Sequence, residues 1–207
     1  MILLAIETSV SQASVSLWRH DAEIYTSTWV AERNHDAFLF PALQQALDAL
    51  SDGEQPDYIL IGAGPGSYGG VRVALAAGVG IATVTGAKLV ALESWAQLAD
   101  GDACVVADAR RGGWTVRLPD GKIEVMSTAQ VQALAHPIYT TEAAGVLDNR
   151  GITSARKENL HPTASGIVCT WLAMTPEQQA TAASRPAEPI YVRPPHITAS
   201  VRKPWEI

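Results

Sequence analysis

The sequence predicts an α/β fold made of two copies of one unit, β-β-β-α-β-α, with the second copy reduced. Three observations carry that expectation. A short continuous apolar run ending in an acid, residues 2–6 followed by Glu7, returns as residues 104–107 followed by Asp108. Each run leads into two alternating stretches separated by a turn, residues 13–18 and 24–30 in the first copy and 114–118 and 122–125 in the second. Each set then continues through a helical stretch into a further strand. Continuous apolar runs are what a strand buried on both faces requires, and alternation is what a half-buried strand requires.

In the first copy, His20-Asp21 supplies the hairpin turn. The spacing of Leu39, Leu43, Leu47 and Leu50 predicts a helix over residues 36–50 with one apolar stripe. Asn34 is placed to cap it, and Pro41 implies a late start or a bend. Strand 58–63, a glycine turn, a helix over 70–83, strand 89–92 and a short helix at 94–99 complete the unit. Within the helix after the glycines, Ala74, Gly78 and Ala82 form a small-residue row. A mid-helix glycine costs about 1 kcal/mol relative to alanine, which is tolerated where two backbones come close. That closeness fits either packing on the sheet or a helix–helix interface with a partner.

In the second copy, Pro119-Asp120-Gly121 turns the hairpin, a short helix covers 128–135, and residues 138–141 form the next strand. From about Thr175 onward the chain is read as loop and tail. The expected division is a partner-binding lobe at 1–100 and a smaller lobe with tail at 101–207.

Composition limits the function classes. The chain has 207 residues, an apolar fraction of 47% and a net charge of -6, which argues against gripping nucleic acid by phosphate neutralisation alone. Cys104 and Cys169 lie in apolar runs without CxxC spacing and are expected to be reduced thiols. The apolar start is too short for a signal peptide. The uncharged stretch between Arg72 and Lys88 is shorter than the roughly 20 residues that span a bilayer. The expectation is a cytoplasmic protein with no membrane partner.

The densest motif is Gly64-Pro65-Gly66-Ser67-Tyr68-Gly69-Gly70-Val71-Arg72. It lies between a buried strand and a helix start, where free N–H groups could meet an anion or a partner. No Gly-Lys-Ser/Thr follows, so it is not a P-loop, and it is one residue short of a nucleophile elbow. The alternative is a tight turn without ligand, in which the Ser67 hydroxyl satisfies a neighbouring N–H.

With Leu4-Ala5-Ile6-Glu7-Thr8-Ser9, Asn34-His35-Asp36-Ala37-Phe38-Leu39-Phe40-Pro41, Asp108-Ala109-Arg110-Arg111-Gly112 and Pro189-Ile190-Tyr191-Val192-Arg193 in the same order, the sequence resembles the TsaB (YeaZ) family of bacterial tRNA threonylcarbamoyladenosine biosynthesis proteins. It differs in having Glu7 for aspartate, Gly69 for threonine and Gly113 for glutamate, and residues 142–187 match little. The resemblance implies the actin-like ATPase (RNase H-like) fold. It also implies a non-catalytic subunit that binds and stabilises a catalytic paralogue, TsaD, alongside an accessory ATPase, TsaE. The complex would modify N6 of the adenosine adjacent to the anticodon. A homodimer is expected when the chain is alone, with tRNA touched only indirectly. ATP or ADP with Mg²⁺ would belong to the assembled complex rather than to this chain.

The implied partner interface is formed by Leu39, Leu43, Leu47, Val73, Ala74, Ala77, Gly78 and Ile81. A bulky residue at Gly78 is accordingly expected to block docking while leaving the fold intact. Gly64, Pro65, Gly66, Ser67, Gly70 and Arg72 would contact a nucleotide or the partner. Glu7, Thr8 and Asp108 occupy vestigial phosphate and Mg²⁺ positions, or else merely cap hairpin turns. No catalytic residue is assigned. No metal site is expected either, since none of His20, His35, His136, His161 and His196 forms a pair three to five residues apart. The rival reading is a small actin-like ATPase or kinase using Glu7, Asp108 and the glycine loop. A peptidase is the weakest, lacking the histidine pair.

Overall fold

The computed structural model describes residues 1–31, 36–98, 101–109, 112–154 and 156–192. Strands β1 (Ile2–Glu7), β2 (Gln12–Arg19) and β3 (Ala22–Val30) form an antiparallel meander, followed by α1 (Asp36–Asp48), β4 (Tyr58–Gly62), α2 (Tyr68–Thr85) and β5 (Lys88–Leu92). Strands β6 (Cys104–Asp108), β7 (Gly113–Arg117) and β8 (Ile123–Ser127) repeat the meander, and α3 (Thr128–Gln132), β9 (Ile138–Thr140) and β10 (Arg156–Lys157) follow. Two further helices, α4 (Ala164–Leu172) and α5 (Pro176–Ser184), close the described chain.

The duplication is visible in the strand orders. One sheet reads β3-β2-β1-β4-β5 and the other, taken from its opposite edge, β8-β7-β6-β9-β10. Position by position these are the same arrangement. In both, the central strand pairs antiparallel with the meander and parallel with the strand that follows the first helix.

The alternate residues of β1 explain why its run is wholly apolar. Ile2, Leu4 and Ile6 face a core shared with Ile59, Ile61, Leu39, Leu43, Ala74 and Ala77, so α1 and α2 cover this side of the sheet. Leu3 and Ala5 face the other side, against Leu60, Val90, Ile167, Val168 and Trp171. That second core is supplied by α4, which returns from the far end of the chain. The 101–207 half therefore contributes its own sheet and also the lid of the first. At the junction of the two sheets, Trp95 is buried with Val105 and Ala107, and Arg117 pairs with Glu93 across it.

Three expectations are corrected. Residues from Thr175 are not all tail, because α5 begins there with a capping box: the Thr175 hydroxyl accepts from Gln178 N, the Gln178 side chain returns to Thr175 N, and Pro176 sits at the start. Helix α2 begins at Tyr68, before Arg72, so its 18 residues are long and apolar enough by length and composition to cross a membrane. Its buried row, Val71, Ala74, Ala77 and Gly78, instead lies on the sheet. The predicted helix over 128–135 ends at Gln132. The proposed Asn34 cap lies outside the described residues.

Gly78 decides between the two explanations for the small-residue row. A β-carbon there would meet Ile61 Cδ1 at 2.8 Å and Leu89 Cδ1 at 2.9 Å, both on the sheet beneath. The row is small so that α2 can lie close to its own sheet. Gly78→Leu should therefore destabilise the isolated chain by about 1–3 kcal/mol, as overpacking does. Urea unfolding checks this, and an unchanged midpoint would contradict it.

Candidate functional site

The turn after β1 and the glycine segment form one closed body. Thr8 Oγ1 donates to Gly70 O at 2.8 Å, and Ser67 N donates to Ser9 O at 2.6 Å. Ser67 caps α2, its hydroxyl accepting from Gly70 N at 3.2 Å. Gly64 N donates to Ser94 Oγ at 3.0 Å, and Ser94 N returns to Gly64 O at 2.8 Å. A β-carbon at Gly66 would fall on the Ser9 carbonyl, and one at Gly70 on the Thr8 carbonyl. These glycines make room for the chain's own backbone, and the N–H groups of Gly64, Ser67 and Gly70 are already spent within it. Pro65 is buried between them.

Glu7 lies beneath this body, wholly buried. Its Oε1 accepts from Ser9 N at 2.7 Å. Its Oε2 has no hydrogen-bond partner, and neither has the Ser9 hydroxyl. Gly62 leaves no space on the remaining side, because a β-carbon there would overlap the carboxyl. Burial pushes the Glu7 carboxyl above its ordinary 4.5, outweighing the opposite pull of the Ser9 N–H that donates to it. Enclosure of this kind disfavours the charged form of a carboxyl.

Asp108 sits differently. It ends β6 near the surface, its backbone N–H donating to Glu142 Oε1 at 2.9 Å and its carboxylate paired with Arg150 at 3.0 Å. Arg150 in turn lies 4.0 Å over the Trp114 ring. This is an ion pair braced on an aromatic face. Among the described residues, no group of three or more His, Cys, Asp or Glu side chains is placed to hold a metal ion. His35, Arg110 and Arg111 lie outside the described residues.

The docking residues expected from sequence are the inward ones. Leu39, Leu43, Ala74 and Ala77 are core, Gly78 is buried, and Leu47, Val73 and Ile81 pack partly buried against the same cluster. Leu39, Leu43, Ala74, Ala77 and Gly78 are thus turned away from any partner, while Leu47, Val73 and Ile81 keep part of their surface exposed. Helical phase turned the apolar stripe toward the sheet, as amphipathic helices do on a sheet. The outward faces of the same helices nonetheless carry exposed apolar side chains, on α1 beside Gln44, Gln45 and Asp48. Phe38 is 50% and Phe40 56% exposed on α1, and Val79 is 49% exposed on α2. The sequence reading missed these residues, although two phenylalanines flanking a stripe leucine cannot share its buried face and are a legible sign. Arg72 lies on this outer side rather than in the glycine loop, with Tyr68 beside it.

Two lobes of one strand order, built on a shared β-β-β-α-β plan, define the actin-like (RNase H-like) class. In solved structures the chain is similar to YeaZ from Pseudomonas aeruginosa, with a TM-score of 0.73 at 22% identity over 92% of this chain and 100% of that one. A second crystal structure, titled as an uncharacterized protein with similarity to peptidase YEAZ from the same organism, matches with a TM-score of 0.67 at 22% identity, over 93% of this chain and 99% of that one. The family model described as TsaD: tRNA N6-adenosine threonylcarbamoyltransferase matches residues 28–158, and the chain belongs to that family. Among its relatives, the tRNA threonylcarbamoyladenosine biosynthesis protein TsaB of Bacillus subtilis (strain 168) is 31% identical over 119 residues, 54% of this chain. The match spans 52% of that relative's length. The TsaB (YeaZ) resemblance read from the motifs thus holds.

The buried carboxyl yields a pH dependence. A folded-state value raised above the unfolded one means that Glu7's contribution is complete below about pH 4.5 and is lost as pH rises through the folded value. Glu7→Gln should remove that loss: urea midpoints from pH 4 to 9 should diverge upward for the variant as pH increases. Parallel curves would contradict a Glu7 carboxyl whose value burial raises.

Proposed function

We propose that this chain is a non-catalytic subunit in tRNA N6-threonylcarbamoylation, which binds and stabilises the catalytic paralogue TsaD. The observation that carries the reading is the enclosure of Glu7 beneath a glycine segment filled by the Thr8 and Ser9 carbonyls. An ATPase needs that acid and those N–H groups turned toward nucleotide and metal. Here they hold the protein together. Membership in the family supports a place in threonylcarbamoyladenosine biosynthesis, and the apolar outer faces of α1 and α2 support docking as its means.

In this reading the interface is made by Phe38 and Phe40 of α1 and by Tyr68, Leu75 and Val79 of α2. A homodimer through the same faces forms when the paralogue is absent. The accessory ATPase TsaE joins the assembled complex, where any ATP or ADP with Mg²⁺ resides, and tRNA contact is indirect.

Phe40→Asp and Val79→Asp test the docking faces. Both sites are exposed in the isolated chain, so its thermal midpoint should hold, since surface changes cost within about 0.5 kcal/mol. Docking would bury an unpaired carboxylate in each. Titration against TsaD of the same organism should show affinity falling by roughly 30-fold or more, the equivalent of ~2 kcal/mol. Undiminished binding by both variants would remove these faces from the complex. Calorimetry with ATP and Mg²⁺ on the isolated chain should show no tight binding and no turnover; turnover would favour an ATPase instead.

A further inference from the structure

The outer side of α2 carries a groove of about 560 Å³, whose other wall is the segment around Pro189 and Tyr191. That segment is seated by Ile190 N, which donates to Ala63 O at 2.8 Å. The Tyr191 ring stacks on Tyr68 with centroids 5.0 Å apart. Arg72 Nη1 donates to the Tyr68 hydroxyl at 2.7 Å, and the guanidinium lies 5.1 Å from the Tyr68 ring centroid. Leu75 and Val79 continue the groove as an apolar floor.

Arg72 is the one charged residue in the sequence of α2. Although the chain carries 21 acidic residues, no carboxylate among the described residues forms an ion pair with this guanidinium. One of its N–H groups is used by Tyr68, which orients the fork and leaves the others directed outward. A planar, pre-oriented guanidinium beside an apolar floor suits a carboxylate, which it can meet with two parallel hydrogen bonds. Phosphate sites draw on helix N-terminal N–H groups or on several cations. Among the described residues that line the groove Arg72 is the one cation, and at the start of α2 Gly70 N already donates to Ser67.

From this groove we infer that Arg72 selects the partner, pairing with an aspartate or glutamate on the docking helix of the paralogue and disfavouring a second copy of this chain. The inference rests on the docking reading above and specifies its chemistry. If two copies packed α2 beside α2 in parallel about a two-fold axis, guanidinium would face guanidinium, and in either orientation α2 carries no acid to answer Arg72. A partner bearing a carboxylate at the matching turn removes that repulsion and gains a desolvated pair. Specificity then comes from an attractive element in one complex and a repulsive one in the other.

The experiment compares wild type, Arg72→Leu and Arg72→Lys. Titration reads affinity for the same organism's TsaD at low and high salt, and sedimentation equilibrium reads self-association. Arg72→Leu should weaken the heterodimer by roughly 30-fold or more, the lower end for truncating one partner of a buried charge pair, and reduce its salt dependence. Its self-association should be unchanged or tighter. Arg72→Lys should recover part of the heterodimer affinity. Equal weakening of both complexes, or an unaltered heterodimer, would overturn the inference while leaving the docking reading standing. Competition between ATP and TsaD at this groove would assign it to nucleotide and overturn it too. Wild-type protein that does not bind TsaD at all would instead defeat the docking reading, and this inference with it.

Discussion

The carbonyl oxygens of Thr8 and Ser9 occupy the space where the β-carbons of residues 70 and 66 would stand. The rest of the molecule is arranged around that approach of backbone to backbone. It fixes the end of β1 against the start of α2, and through Gly64 it reaches Ser94 and the junction with the second lobe. Ala63 beside it receives the C-terminal segment at Ile190. A glycine-rich segment between strand and helix is ready to cradle an anion. Here the protein's own turn lies in the cradle, and the acid that a nucleotide site would use is sealed beneath it.

With the centre closed, the proposed docking function falls to the surfaces of the helices in the first lobe. Each of α1 and α2 has two apolar faces with separate uses. The inner faces are tightly fitted to the sheet, and the outer ones present aromatic and aliphatic side chains to solvent. Exposed apolar groups gathered on neighbouring elements mark sites of association more often than accidents of composition. The opposite side of the sheet is closed by α4, whose Trp171 lies against Tyr58 with ring centroids 5.0 Å apart.

The strands and the duplication were legible because burial on both faces leaves an unmistakable pattern, as in residues 2–6 and 58–62. The Leu39, Leu43, Leu47 spacing likewise identified α1. Its orientation was not legible: a leucine stripe says that one face is buried, without saying against what. The same ambiguity applied to Gly78, whose smallness fits a sheet below as well as a helix alongside. At Gly66 and Gly70 the pattern announced a close approach but not its occupant, and only the fold brings Thr8 and Ser9 there. Helices α4 and α5 were missed for a different reason. Their caps are written in Thr163 and Thr175-Pro176-Glu177-Gln178, yet the family motifs fade over this stretch. The core that α4 completes is formed with β1, β4 and β5, all strands of the first half of the chain.

Amide hydrogen exchange of the intact chain, alone and with TsaD of the same organism, most directly separates a docking protein from one with a working centre. The account predicts that TsaD adds protection along α1 and α2, while the amides around Glu7 and Asp108 exchange as in the isolated chain and do not respond to ATP and Mg²⁺. Protection by nucleotide at the Glu7 turn, with α1 and α2 unaffected by TsaD, would contradict it.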